Sequence, residues 1–217
     1  MTQKERQERS RRVICQAALQ EFGAYGFEAV TMDSICAKHG ISKGMMYHYY
    51  ANKDALFIAC VQEIFQSLND YIQQESERLV GQPVFEAIKN YFMIRESFFQ
   101  CRSLEKHIFE NAVLYPPRHL VEKIQILRQP IRELNDQFIK RLISRIQLRE
   151  GLEQERALRY LNSLYALFWR ILEQYHPKDA PRDLHTMLLE CEEILEMVLL
   201  GIAQSCDTGD ILPPPRL

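Results

Sequence analysis

Apolar residues in this 217-residue chain recur at spacings of three and four, and runs of alternating β-branched residues are absent. That is the rhythm of helices buried along one face, so the expected fold is all-α. Ile14, Ala18 and Phe22 share one face of a first helix with Cys15 and Leu19 beside them, and the glycines of "GAYGF" are expected to end it. Thr31 is placed to cap a short second helix, with Asp33 in its first turn and Gly40 at its end. Ser42 can cap a third helix two residues later, and Asn52 a long fourth from about 53 to 79. After "VGQP" at 80–83, helices are expected at about 84–101, 103–114, 118–149, 152–176 and 183–204. Pro116-Pro117, Gly151 and "HPKDAP" at 176–181 separate them, and Pro130 is expected to kink the helix it interrupts. The terminal "LPPPRL" reads as a frayed tail.

Composition narrows the classes. With 47% hydrophobic residues the chain can build a core. No apolar run approaches the roughly 18 uncharged residues of a membrane span, and "MTQKERQERSRR" is not a secretory signal, so no membrane partner and a cytoplasmic location are expected. Cysteines 15, 36, 60, 101, 191 and 206 form no paired-cysteine motif and no histidine is spaced for zinc, so neither a metal nor a cofactor is expected. Catalytic residues are not assigned, because no Ser-His-Asp spacing, HExxH or phosphate-binding glycine loop is present. Charge is uneven: residues 1–53 hold eight Lys/Arg against five acids, and the rest nineteen against twenty-four. The N-terminal quarter is the basic end.

Within that quarter stands "GISKGMMYHYYANKDALF", residues 40–57, where aromatic and basic groups alternate in a way that neither a buried helix nor a solvated face explains. Met46 and Tyr50 lie four apart and should face inward under the first helix, leaving Lys43, Gly44, Tyr47 and His48 on other faces. Tyr49 fits either side. A glycine early in a helix costs on the order of 1 kcal/mol relative to alanine, which suggests that another surface approaches its backbone. Lys53 opposes the dipole of the helix it begins, so its loss should leave stability unchanged or raise it. A phosphate bound there would turn the anomaly into a site. Tyrosine and histidine reach phosphate oxygens as neutral donors, the contacts that position a protein on duplex DNA.

The stretch "TMDSICAKHGISKGMMYHYYANKDAL", 31–56, closely resembles the helix-turn-helix of the TetR family of transcriptional regulators, and the likeness covers about residues 8–58. Cys36, Met46 and Tyr50 depart from the usual alanine, leucine and phenylalanine but keep an apolar role. The resemblance implies that Thr31 caps the second helix and touches phosphate, and that Ser42, Lys43, Gly44 and Met45 begin a helix that enters the major groove. It further implies that Tyr47, His48 and Tyr49 grip the backbone and that Lys53 closes the grip. Met45 offers only apolar contact, as to a thymine methyl, which leaves Lys43 as the candidate for guanine. Lys4, Arg6, Arg9, Arg11 and Arg12 form a basic arm, expected to be frayed unless it adds phosphate or minor-groove contacts.

Residues beyond 84 carry no comparable motif. The resemblance implies a three-helix DNA-binding domain at 1–52 and a larger helical domain at 53–217 that binds a small-molecule effector and forms a homodimer, a ligand-responsive repressor on a near-palindromic double-stranded DNA operator. The last helix independently offers a wide apolar face, with Leu184, Met187, Cys191, Ile194 and Val198 beside Leu188, Leu195, Leu199 and Ile202. Leu161, Leu164, Phe168, Ile171 and Leu172 give the preceding helix a similar face, so two helices per subunit could form a four-helix bundle. For the effector, Tyr91, Arg95, Phe99, Phe109, Tyr165 and Trp169 are the candidate contacts. Arg95 would suit an acidic ligand and Glu96 or Glu110 a cationic one, which leaves the charge open. The rival reading is a helical adaptor that binds protein instead of DNA.

Overall fold

The computed structural model describes residues 2–160, 163 and 183–202. Two compact units share the chain: residues up to Asp70 with Phe98–Pro130, and Tyr71–Ser97 with the residues from Ile131 on. The helices are α1 (Gln3–Ala29), α2 (Met32–His39), α3 (Lys43–Tyr49), α4 (Lys53–Ser76), α5 (Val84–Phe99), α6 (Ser103–Leu114), α7 (Val121–Leu127), α8 (Gln129–Ile143), α9 (described over 154–160) and α10 (Leu184–Ile202). The all-α expectation holds throughout the described residues.

In the first unit, Ile14, Ala18 and Phe22 are buried on one face of α1 as their spacing predicts. Phe22 and Phe27 meet Phe57 of α4, with ring centroids 5.2 and 4.9 Å from it. Each such aromatic contributes roughly 1.5–3 kcal/mol through burial. Of the two glycines of "GAYGF", Gly26 interrupts the helix as expected: at φ 77° and ψ 169° it leaves the helical region and parts the long run up to Tyr25 from the short one that ends at Ala29. Gly23 stays helical, and its missing side chain has another cause: a Cβ there would lie 2.7 Å from Leu104 Cβ on α6. Small size, not left-handed backbone, is what this position requires. Phe99 and Phe109 pack together with centroids 5.0 Å apart, and Phe65 of α4 meets Phe109 edge-on at 5.7 Å.

In the second unit, Tyr91 of α5 stacks flat on Phe138 of α8, with centroids 3.7 Å apart, among buried Ile88, Ile94, Leu142 and Ile143. The single helix expected over 118–149 is broken into a 3-10 turn at Arg118–Leu120, then α7, then α8. Pro130 is the second residue of α8, where a missing N–H goes unused, so it starts a helix instead of kinking one. The long fourth helix ends in a 3-10 turn, Glu77–Leu79, and Gly81 with φ 95° turns the chain at "VGQP". Leu184, Met187, Leu188, Leu199 and Ile202 of α10 are buried, so this part of its apolar face belongs to the chain's own core. Leu161, Leu164, Phe168, Ile171 and Leu172 lie outside the described residues.

Candidate nucleic-acid interface

The stretch from Thr31 to Lys53 is built by a relay of caps. Thr31 Oγ1 accepts from the Ser34 amide at 3.0 Å while Ser34 Oγ accepts from the Thr31 amide at 3.1 Å, closing the start of α2. Gly40, at φ 63°, ends α2 and sends its N–H to the Cys36 carbonyl. Ser42 Oγ then accepts from Met45 N at 3.2 Å to start α3, and Asn52 Oδ1 accepts from Ala55 N at 2.8 Å to start α4. Each cap satisfies a backbone donor that would otherwise be orphaned.

Met46, fully buried, anchors α3 on its inner side together with Ile35 and Ile41. Ser42, Lys43, Gly44, Tyr47 and His48 are exposed, and Met45 is half-buried. Nothing lies within 4 Å of where a Gly44 Cβ would stand, so the chain's own packing does not require glycine there. Tyr49 is half-buried, with the Arg11 guanidinium 5.7 Å from its ring centroid and the His48 ring at 4.9 Å. Tyr50 turns inward, its hydroxyl 3.0 Å from Cys15 Sγ. Burial, and then the bond to Cys15, push the Tyr50 phenol well above its ordinary pKa, so it stays neutral.

Two lysines are already engaged. Lys43 Nζ donates to Asp33 Oδ2 at 2.7 Å, and that bond raises the pKa of the ammonium. Both partners are well exposed, so solvent screening leaves the pair weak and Lys43 free to exchange its acceptor. Lys53 departs further from expectation. Its Nζ donates to the Phe27 carbonyl at 2.9 Å and sits 4.1 Å from the Phe27 ring centroid, so it closes the C-terminal end of α1. Lys53→Ala is therefore expected to lower stability by about 1 kcal/mol, a fall of roughly 2–4 °C in melting temperature. Scanning calorimetry that finds no fall would mean that the Phe27 carbonyl does not need this donor.

One contributor was not singled out from the sequence. Glu21 of α1 is 6% exposed and holds Lys38 Nζ at 2.7 Å and His39 Nε2 at 3.1 Å, tying α2 to α1. Burial alone would raise its carboxyl, but the bonds to Lys38 and His39 outweigh that and hold it below its ordinary pKa. The available signal was an acid next to the apolar row of α1.

The candidate effector residues are not all brought together. Tyr91 and Arg95 lie in the second unit, Phe99 and Phe109 in the first, and Tyr165 and Trp169 outside the described residues. Arg95, 5% exposed, donates to the Tyr91 carbonyl at 2.6 Å and to Asn135 Oδ1 at 2.7 Å, and Asn135 Oδ1 also accepts from the Tyr91 hydroxyl at 2.9 Å. Among the described residues no carboxylate pairs with Arg95. Glu96 pairs instead with His185 at 2.8 Å and Glu110 with Lys106 at 3.7 Å. An open cleft of about 540 Å³ in the second unit is lined by Ser76, Gln137, Lys140 and Arg141 among others, and by none of the six candidates. Among the described residues no cluster of three metal-ligating side chains occurs, and no helix is long and apolar enough to cross a membrane.

Residues 14–60 match the profile of the bacterial regulatory proteins of the tetR family. The HTH-type transcriptional dual regulator CecR of Shigella flexneri is 33% identical over 79 residues, 35% of each chain. The uncharacterized HTH-type transcriptional regulator YhgD of Bacillus subtilis is 25% identical over 123 residues, 56% of this chain and 62% of its own. The chain thus spans less than two thirds of either relative. Among solved structures, the fatty acid degradation regulator FadR from Bacillus halodurans superposes with a TM-score of 0.60 at 18% identity, over 85% of this chain and 93% of that one. A tetR-family regulator from Mesorhizobium loti gives 0.58 at 17% identity, over 94% and 100%. These likenesses extend the shared fold well past the matched stretch. Capped helices around a glycine turn, an exposed basic and aromatic row, and the matching profile together make residues 14–60 a helix-turn-helix of the tetR-family type.

Proposed function

We propose that the protein is a sequence-specific DNA-binding transcriptional regulator of the cytoplasm, a homodimeric repressor released from a near-palindromic operator by a small-molecule effector. The observation that carries the reading is the row of Lys43, Gly44, Tyr47 and His48, exposed on a helix whose opposite side is anchored by buried Met46. A rigidly held helix that spends its exposed face on a cation, a bare backbone and neutral donors is suited to the major groove and its phosphates. Thr31 and Ser42, at the starts of α2 and α3, supply further phosphate contacts. Met45 meets a thymine methyl, Lys43 exchanges Asp33 for a guanine, and Tyr49 and Lys53 brace the edge of the grip.

The dimer reading is supported by Leu189, Met197 and Leu200, apolar side chains left exposed on α10. An acidic effector is the better match to the second unit, because Arg95 is buried without a described carboxylate while Glu96 is already paired with His185. No observation favours the adaptor reading.

A mobility-shift assay on the duplex upstream of the protein's own coding sequence tests the proposal. The wild type should shift it, and Lys43→Ala should lose on the order of 1–3 kcal/mol and relax preference at one base pair per half-site. A wild type that binds no duplex even at low salt would overturn the reading.

A further inference from the structure

The basic N-terminal segment is not a frayed arm. Thr2 and Glu5 form a reciprocal capping box, with Glu5 N donating to Thr2 Oγ1 at 3.2 Å and Thr2 N to Glu5 Oε2 at 2.7 Å, and the helix runs unbroken from Gln3 into the packed part of α1. Residues 2–9 and 11–13 are exposed, and burial begins only at Ile14. An isolated helix of this length is marginal in water, but here the packed residues supply the nucleus and the exposed turns propagate from it. About two turns of helix, up to Arg9, thus stand clear of the chain.

Helical spacing gives this projection a side. Residues 4, 8, 11, 15, 18 and 22 follow one another at four and three, so they form a single row along α1. Its inner part is fixed by contacts: Phe22 and Ala18 are buried, Cys15 meets the Tyr50 hydroxyl at 3.0 Å, and the Arg11 guanidinium lies 5.7 Å from the Tyr49 ring centroid. The row therefore runs along the end of α3 and continues outward through Glu8 to Lys4. Lys4 and Arg11 are about 10 Å apart along the axis, close to the rise of three phosphates on one strand. Neither is ion-paired among the described residues. Arg6 and Arg9 fall on the opposite side of the helix.

We propose that this projecting turn of α1 is a second nucleic-acid contact, in which Lys4 and Arg11 bind the DNA phosphate backbone beside the stretch gripped by α3. It is a rigid backbone clamp that adds affinity without sequence preference, and Glu8, on the same row, limits its strength. The inference rests on the DNA-binding function above and adds a surface to it.

The test compares Lys4→Ala/Arg11→Ala with Arg6→Ala/Arg9→Ala, two variants that lose the same charge from opposite sides, by titrating the upstream duplex and an unrelated duplex at 50 and 200 mM salt. The first variant should weaken binding to both duplexes alike and lower the salt slope by about 1.8. Its deficit relative to wild type should then shrink about twelvefold between the two salt concentrations. The second variant should stay close to wild type, and Glu8→Gln should bind more tightly than wild type. Because Arg11 also touches Tyr49, Lys4→Ala alone and Arg11→Lys separate charge from packing. The former should lower the slope by about 0.9, and the latter should keep it. If the two double variants weaken equally, or Lys4→Ala leaves the slope unchanged while the wild type still binds, the clamp is overturned and the DNA-binding function stands. A wild type that binds neither duplex overturns both.

Discussion

Gly23→Ala is expected to lower the melting temperature by roughly 2–12 °C, the consequence of about 1–3 kcal/mol of overpacking. The added methyl would stand 2.7 Å from Leu104 Cβ, 2.8 Å from its carbonyl oxygen and 2.9 Å from its Cα. Two of these atoms are backbone, so no rotamer change relieves the clash, and α6 must move away from α1. That movement also pulls His107, whose Nδ1–H donates to the Gly23 carbonyl at 2.6 Å. Trimming the neighbour is not expected to rescue the variant, because Leu104→Ala leaves the Cα and carbonyl where they are. Calorimetry of the single and double variants decides the matter. Full recovery in the double variant would show that only side-chain volume is at stake, and an unchanged single variant would show that α6 shifts without cost.

Gly44→Ala should move stability and function in opposite directions. Gly44 is exposed, helical and free of neighbours, so alanine there should raise stability by up to about 1 kcal/mol, or roughly 2–4 °C. The same methyl would stand between α3 and the floor of the groove, and affinity for the upstream duplex should fall on the order of tenfold, about one base contact. Stabilisation that comes with lost function marks a position kept for function, and a structural glycine would show the reverse. A variant that melts higher and binds DNA unchanged would remove the argument that another surface approaches this backbone.

How far the sequence disclosed these features depended on the range of the interaction concerned. Caps are local, so Thr31, Ser42 and Asn52 were legible from their own side chains and the residues three positions on. Met46 followed from helical spacing and lies on the inner side of α3, and Tyr50, just past the end of that helix, turns inward to Cys15. Gly23 and Lys53 were not legible, because their partners are distant in the chain: Leu104 for one and Phe27 for the other. Local rules took Gly23 for a helix end and Lys53 for a cation at odds with its helix. Pro130 was misread for a nearer reason, since a proline in a first turn and one in a helix interior differ only in where the helix starts. The pairing of Tyr91 and Arg95 through Asn135 likewise joins residues forty or more positions apart, and no aromatic count could have separated them from Phe99 and Phe109.

The contact of α6 on Gly23 has a meaning in time as well as in space. His107 follows Gly23 by 84 residues, so on a ribosome adding about 5–20 residues per second the notch in α1 emerges roughly 4–17 s before the helix that fills it. For that interval the segment that carries α1 to α4 is synthesised but lacks one wall of its core. The first unit thus completes its core only after Tyr71–Ser97, the smaller stretch of the second unit, has also been made. The order of synthesis itself sets a delay, because the core of the first unit closes only once the chain has reached at least α6.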